Sequence, residues 1–244
     1  MDKPYSTHYQ IRSSEADCFG RLTLNHLLEF MQESAGQNCE QEGWGRSELM
    51  KRGLFWAVIR QKVSITRLPS AMETIRVDTW PMPVTRTAFP RATMAYDERG
   101  NELFRAIGLW IVMDYENRKM VLPAKCGLDV PGLLTGLEMT PPGSIVPREL
   151  ANQELRQVRY SELDWNGHMN NCRYLDWVTD VLPAEFQRAH QPKSFTVAYA
   201  SEAREGERLA VDWELSTQGE LSVEIRRQEE IPGKGRVFGA RLQY

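Results

Sequence analysis

Residues 158–169 read Val158-Arg159-Tyr160-Ser161-Glu162-Leu163-Asp164-Trp165-Asn166-Gly167-His168-Met169. They align with residues 11–22, Ile11-Arg12-Ser13-Ser14-Glu15-Ala16-Asp17-Cys18-Phe19-Gly20-Arg21-Leu22, at a constant offset of 147 residues. Arg, Ser, Glu, Asp and Gly coincide. The offset persists into sequence with helical periodicity, where Leu27 falls on Tyr174, Leu28 on Leu175, Phe30 on Trp177 and Met31 on Val178. One offset through a strand-like stretch, a polar loop and a helical stretch is the mark of an internal duplication. The copies differ where chemistry would sit. Asn166 is matched by Phe19 and His168 by Arg21, while Asp164 keeps a counterpart in Asp17.

Outward from the repeat, each half follows the same order. Residues 8–16 alternate and predict a strand, and Leu24, Leu27, Leu28, Met31 and Ala35 predict a helix over 24–36. Strands follow at 56–67, 73–82, 87–97 and 102–114, with Asp97-Glu98-Arg99-Gly100-Asn101 as a hairpin turn. The last of these strands is apolar on both faces and so central. In the second half a strand is expected at 154–163 and a helix at 170–183, closed by Pro183. Strands are then expected at 194–201, 207–216, 220–228 and 235–244. Their alternation is the antiparallel pattern, with one buried and one wetter face. Between the halves the proline and glycine content rises, so residues 119–153 are read as a largely extended linker. The domains expected are 1–118 and 154–244, each one helix plus about five antiparallel strands, an α+β class.

Bulk composition excludes several functions. The chain has 244 residues, 41% hydrophobic and 26% charged, with net charge -3. This is ordinary for a soluble protein and offers no field for nucleic acid or an anionic membrane. No apolar run follows Met1-Asp2-Lys3-Pro4-Tyr5, so neither a signal peptide nor a membrane span is expected. Cys18, Cys39, Cys126 and Cys172 show no CxxC pairing and no metal-type spacing with the four histidines. Free thiols in a reducing cytoplasm are the simple reading. No Gly-x-Ser-x-Gly elbow, GxGxxG loop or Walker-type loop is present.

The candidate site residues are Asp164, Asn166 and His168. A polar turn held by Asx-type bonds would explain the Asp and Asn. The other copy keeps the turn without Asn or His, so turn geometry does not require them. A carboxylate, an amide and an imidazole on one loop are suited to acid–base work. Glu202, where a strand meets a turn, is the fourth candidate. Aligning Val211-Asp212 with Val77-Asp78 sets it opposite Leu68, so the first copy lacks this carboxylate too. Glu205 is its rival. His8, His26 and His190 read as structural or exposed, and Cys172, opposite Asn25 in the first turn of its helix, as structural.

Residues 161–171, with Tyr174 and Trp177 after them, resemble the signature of the acyl-[acyl-carrier-protein] thioesterases. Phe55-Trp56, Ile75 to Trp80 and Arg105 to Trp110 resemble the first half of that family, in its bacterial form. The resemblance implies two tandem hotdog domains, each a curved antiparallel sheet wrapped around a long helix. It also implies hydrolysis of the thioester of a fatty acyl-carrier protein to free fatty acid, ending chain elongation. The family's catalytic positions fall on Asp164, Asn166, His168 and Glu202. Plant members carry a cysteine after that glutamate; here Ala203 stands in its place, which removes a thiol nucleophile there. No cofactor and no metal is implied. The partner implied is an acyl carrier protein, with no nucleic acid or membrane, and a homodimer is compatible with the chain.

On this reading His168 and Glu202 activate water and Asn166 positions the carbonyl or the water. Backbone N–H groups of residues 167–170 would receive the oxyanion. Asp164 either orients its neighbours or attacks as a carboxylate nucleophile. The first domain, lacking a catalytic set, would take the acyl chain, with Phe30 and Trp56 as substrate-binding candidates. Arg60, Lys62, Lys193, Arg226 and Arg227 are candidate docking cations for an acidic carrier. Competing readings are an acyl-CoA thioesterase and a non-catalytic acyl-binding protein of the same fold.

Overall fold

A computed structural model describes residues 3–134, 137–228 and 235–244. It divides into two compact units, residues 1–142 and 143–244.

The first unit holds β1 (Tyr5–Gln10), α1 (Leu24–Gln41), α2 (Arg46–Lys51), β2 (Leu54–Ile65), β3 (Thr74–Pro81), β4 (Phe89–Asp97), β5 (Glu102–Asp114) and β6 (Met120–Val121). Its strands lie in the order β1-β3-β4-β5-β2, all antiparallel. β6 pairs with Val112 and Met113 of β5, beyond the point where β4 ends at Trp110. The second unit holds β7 (Asn152–Gln157), α3 (Tyr174–Asp180), α4 (Ala184–Ala189), β8 (Ser194–Tyr199), β9 (Arg208–Leu215), β10 (Glu220–Arg227) and β11 (Arg236–Gln243). Its order, β8-β11-β10-β9-β7, is the same sequence of partners.

The duplication extends to register. Tyr5 pairs with Thr79 as Asn152 pairs with Trp213, and Ile65 with Phe104 as Tyr199 with Phe238. Both units are thus hotdog arrangements, an antiparallel sheet with a helix against it. In the first, α1 buries Leu24, Leu27, Leu28, Phe30, Met31 and Ala35, its contacts falling on β3 and β1. Burying each such side chain stabilises by about 1.5–3 kcal/mol. In the second, Tyr174 of α3 stacks on Phe238 at 4.8 Å, interplanar angle 10°.

Four boundaries differ from the sequence expectation. The strands β1 and β7 stop at Gln10 and Gln157. Short 3₁₀ turns at Ser13–Glu15 and Tyr160–Glu162 follow, because the Glu15 and Glu162 carboxylates accept the Arg12 and Arg159 N–H groups, each at 2.7 Å, and turn the chain back. Helix α1 passes through Gly36 to Gln41. Helix α3 begins only at Tyr174, since Asn170 Oδ1 accepts the Cys172 N–H at 2.9 Å and holds a turn ahead of it.

The segment expected as a linker is shared between the units. Its first part pairs as β6 and buries Cys126 and Val130. Its last part is strapped onto the second unit: Arg236 donates to the Ile145 carbonyl at 2.7 Å and Arg241 to that of Val146 at 3.1 Å, while Arg148 donates to Glu220 at 3.1 Å.

Candidate active site

The loop from Asp164 to Met169 is built around the Asp164 carboxylate. Its Oδ1 accepts the N–H groups of Asn166 at 2.8 Å and His168 at 3.2 Å, and its Oδ2 accepts the Asn166 side-chain amide at 3.2 Å. The backbone closes the same turn, Asp164 N–H to His168 carbonyl at 2.8 Å and Gly167 N–H to Asp164 carbonyl at 3.0 Å. Gly167 has φ +75°, a left-handed conformation that most side chains resist.

Glu202 reaches this loop through the backbone. Met169 N–H donates to the Ala203 carbonyl at 2.8 Å, and His168 bridges Arg204. That pairing sets Nε2 of His168 3.3 Å from Oε2 of Glu202. His168 is buried, at 8% exposure, whereas the Glu202 side chain is 47% exposed. The pair therefore combines a sheltered imidazole with a carboxylate open to water. Glu205 is exposed, and the structure gives the imidazole to Glu202. All four residues expected from sequence lie in the second unit, on one loop and one strand end.

The first copy shows what the fold alone requires. Asp17 Oδ1 accepts the N–H groups of Phe19 at 2.8 Å and Arg21 at 2.9 Å, with Gly20 at φ +75°. Leu22 N–H donates to the Pro69 carbonyl at 2.8 Å, and Arg21 bridges Ser70. The loop geometry is the same, without the imidazole and the second carboxylate. Arg21 turns back on its own Asp17 at 2.9 Å, and Leu68, buried, stands where Glu202 does.

A further feature, invisible to motif reading, holds the Glu202 strand end. Arg227 of β10 donates to the Glu202 carbonyl at 2.6 Å, to Ser201 Oγ at 2.8 Å and to Glu207 at 2.8 Å. In the first copy Arg67 does the equivalent, pairing with Glu73 at 2.6 Å and donating to the Leu68 carbonyl at 3.4 Å. The glutamates sit at one repeat position, but Arg227 lies on β10 and Arg67 in the loop after β2, so no single offset reveals the clasp.

The proposed oxyanion donors are corrected by these bonds. The N–H groups of Gly167, His168, Met169 and Asn170 are all taken, by Asp164, Ala203 and Glu162. The Asn166 side chain, by contrast, is exposed. Two of the expected docking cations are also engaged: Arg226 pairs with Asp212 at 2.5 Å and Arg227 with Glu207 at 2.8 Å. Lys193 donates to the Tyr244 carbonyl at 3.2 Å and Lys62 to Thr140 at 3.0 Å.

Phe30 and Trp56 occupy different parts of the first unit. Phe30 packs on Tyr9 of β1, centroids 4.5 Å apart. Trp56 stands edge-on to Phe89 at 4.9 Å and donates its Nε1–H to the Trp44 carbonyl at 2.9 Å. The other histidines have local roles. His26 contacts Thr23 at 2.7 Å and His190 contacts the Phe186 carbonyl at 3.1 Å, while His8 is exposed on β1. Cys172 is buried. Among the described residues no group of three or more His, Cys, Asp and Glu side chains could hold a metal ion. Among them no helix is long and apolar enough to cross a membrane.

Models of the acyl-ACP thioesterase N-terminal domain and C-terminal domain match residues 2–124 and 147–237. A palmitoyl-acyl carrier protein thioesterase, chloroplastic, of Gossypium hirsutum is 26% identical over 213 residues, covering 81% of this chain and 52% of the relative. A dodecanoyl-[acyl-carrier-protein] hydrolase, chloroplastic, of Cinnamomum camphora is 24% identical over 209 residues, 80% of this chain and 55% of the relative. The chain spans about half the length of these curated relatives. Among solved structures, an acyl-ACP thioesterase from Bacteroides thetaiotaomicron superposes with TM-score 0.85 at 23% identity, covering 98% of this chain and 96% of the other. The 12:0-ACP thioesterase from Umbellularia californica gives 0.80 at 21% identity, covering 98% and 96%. At such identities the structural likeness speaks for the fold.

Proposed function

The chain belongs to the acyl-ACP thioesterase family, and on that premise we propose that it hydrolyses the thioester of fatty acyl-carrier protein, releasing free fatty acid. The observation that carries the reading is the His168–Glu202 contact at 3.3 Å, made in one copy of a duplicated loop and replaced by Arg21 and Leu68 in the other.

In the proposed reaction a water attacks the thioester carbonyl carbon while His168, paired with Glu202, accepts its proton. The tetrahedral intermediate collapses with cleavage of the C–S bond, and the proton returns to the departing thiolate. Asn166 donates one amide hydrogen to Asp164 and is exposed, so its amide is placed to orient the water or the carbonyl. Asp164 is a positioning residue in this scheme. Both its oxygens are occupied by the loop, and the unreactive copy keeps the same carboxylate for the same bonds. Those facts weigh against direct attack by Asp164. The first unit, without a catalytic set, supplies acyl-chain binding, with Phe30 and Trp56 as its candidate contacts.

The deciding measurement is thiol release from acyl-carrier proteins of graded chain length and the matching acyl-CoAs, beside His168→Ala. Release from the carrier substrates that disappears in the variant is the expected result. Release from CoA esters alone would make the protein an acyl-CoA thioesterase. Binding of long-chain acids without release from either would make it an acyl-binding protein.

A further inference from the structure

Beside the His168 loop stand two tyrosines that the mechanism above does not use, Tyr174 buried and Tyr199 half-buried. Tyr199, at the end of β8, donates its hydroxyl to the Asn171 carbonyl at 3.1 Å, just past the His168 loop. Tyr174, the first residue of α3, packs beside it. The rings pack on each other and on Phe238, with centroids 6.1, 4.8 and 5.3 Å apart. Burial raises both phenols above their ordinary value, so both hydroxyls keep their protons through neutral pH.

The first copy again separates fold from function. The register that pairs Tyr199 with Phe238 pairs Ile65 with Phe104, and the helix offset sets Tyr174 on Leu27. Phe238 and Phe104 serve the core alike. Ile65 and Leu27 fill the tyrosine positions without a hydroxyl, and both are buried. The fold therefore needs the bulk at these positions and does not need the oxygen. The two hydroxyls are confined to the copy that carries Asn166, His168 and Glu202.

We propose that Tyr199 is a positioning residue: its hydroxyl secures the far end of the His168 loop through Asn171 and so keeps the imidazole in contact with the Glu202 carboxylate. The inference rests on the hydrolase reading. Small displacements of reacting groups are costly, on the order of a hundredfold for about 1 Å.

The test is Tyr199→Phe, which keeps the ring and deletes the oxygen. Steady-state thiol release, thermal midpoint and the ring ¹⁵N signals of His168 are followed together. The expected result is a fall of about tenfold in kcat for Tyr199→Phe, with KM within about twofold of wild type. The folded fraction at the assay temperature should be unchanged. Unchanged kcat in Tyr199→Phe would overturn the proposal. So would a loss of activity that only tracks the unfolded fraction. Should the wild type release no thiol from any substrate, the hydrolase reading fails, and the ring signals decide the positioning separately. Glu202→Gln should then shift the His168 signals and Tyr199→Phe should shift them alike; no effect of Tyr199→Phe would overturn it.

Discussion

Asp17 and Asp164 hold their loops in the same way, each carboxylate accepting the N–H groups two and four residues further along the chain. Removing either carboxylate orphans two backbone donors, so Asp17→Ala should cost about 1–3 kcal/mol in thermal or denaturant unfolding. Asp164→Asn keeps an acceptor oxygen and loses the charge. If Asp164 positions the loop, this variant retains hydrolysis reduced by about tenfold. If it attacks the substrate, turnover vanishes and the wild type yields an acyl-enzyme detectable by intact-mass spectrometry.

His168→Ala should lower turnover by on the order of a hundredfold or more, the usual cost of losing a general base. Glu202→Gln should act on the same step, so the double variant should be little worse than His168→Ala. Multiplicative losses in the double variant would mean the two groups work independently. Glu205→Gln should match wild type, since the structure gives the imidazole to Glu202.

If the first unit takes the acyl chain, Phe30→Ala and Trp56→Leu should each change which chain length is preferred. A buried methylene is worth about 0.8 kcal/mol, or roughly fourfold in selectivity per carbon. Competition between carrier substrates two carbons apart reads the change directly. An unaltered profile in a folded variant removes that residue from the binding surface.

The clasp at Leu68 makes a pH prediction. The Arg67 guanidinium, helped by the Ser70 N–H, holds the Glu73 carboxyl below its ordinary value of 4.5. A depressed folded-state value stabilises fully above the unfolded value and is lost as pH falls through the folded one. The thermal midpoint of wild type should therefore drop on acidification below about pH 4.5, the ordinary value of the group. Glu73→Gln should start lower at neutral pH and show a shallower acid limb. An identical acid limb in both proteins would show that other carboxylates carry it.

The sequence by itself determined the duplication, the antiparallel pattern, most strand positions and the four candidate site residues. These are local properties: period-two alternation, helical spacing, and differences between two aligned copies. Its boundary errors arose where side chains bond back to nearby backbone, as Glu15, Glu162 and Asn170 do, because such bonds end a strand or delay a helix without altering its hydrophobic period. The tertiary structure alone decided that Glu202 rather than Glu205 meets His168, since Glu202 adjoins the Met169–Ala203 backbone bond whereas Glu205 lies in the turn beyond it. It also decided that the loop N–H groups are spent on the loop and its neighbours, that Arg227 rather than a residue beside Glu202 closes the clasp, and that the Tyr199 hydroxyl holds the Asn171 carbonyl. Those contacts join residues far apart in the chain, and only the pairing of strands within the second unit brings them together.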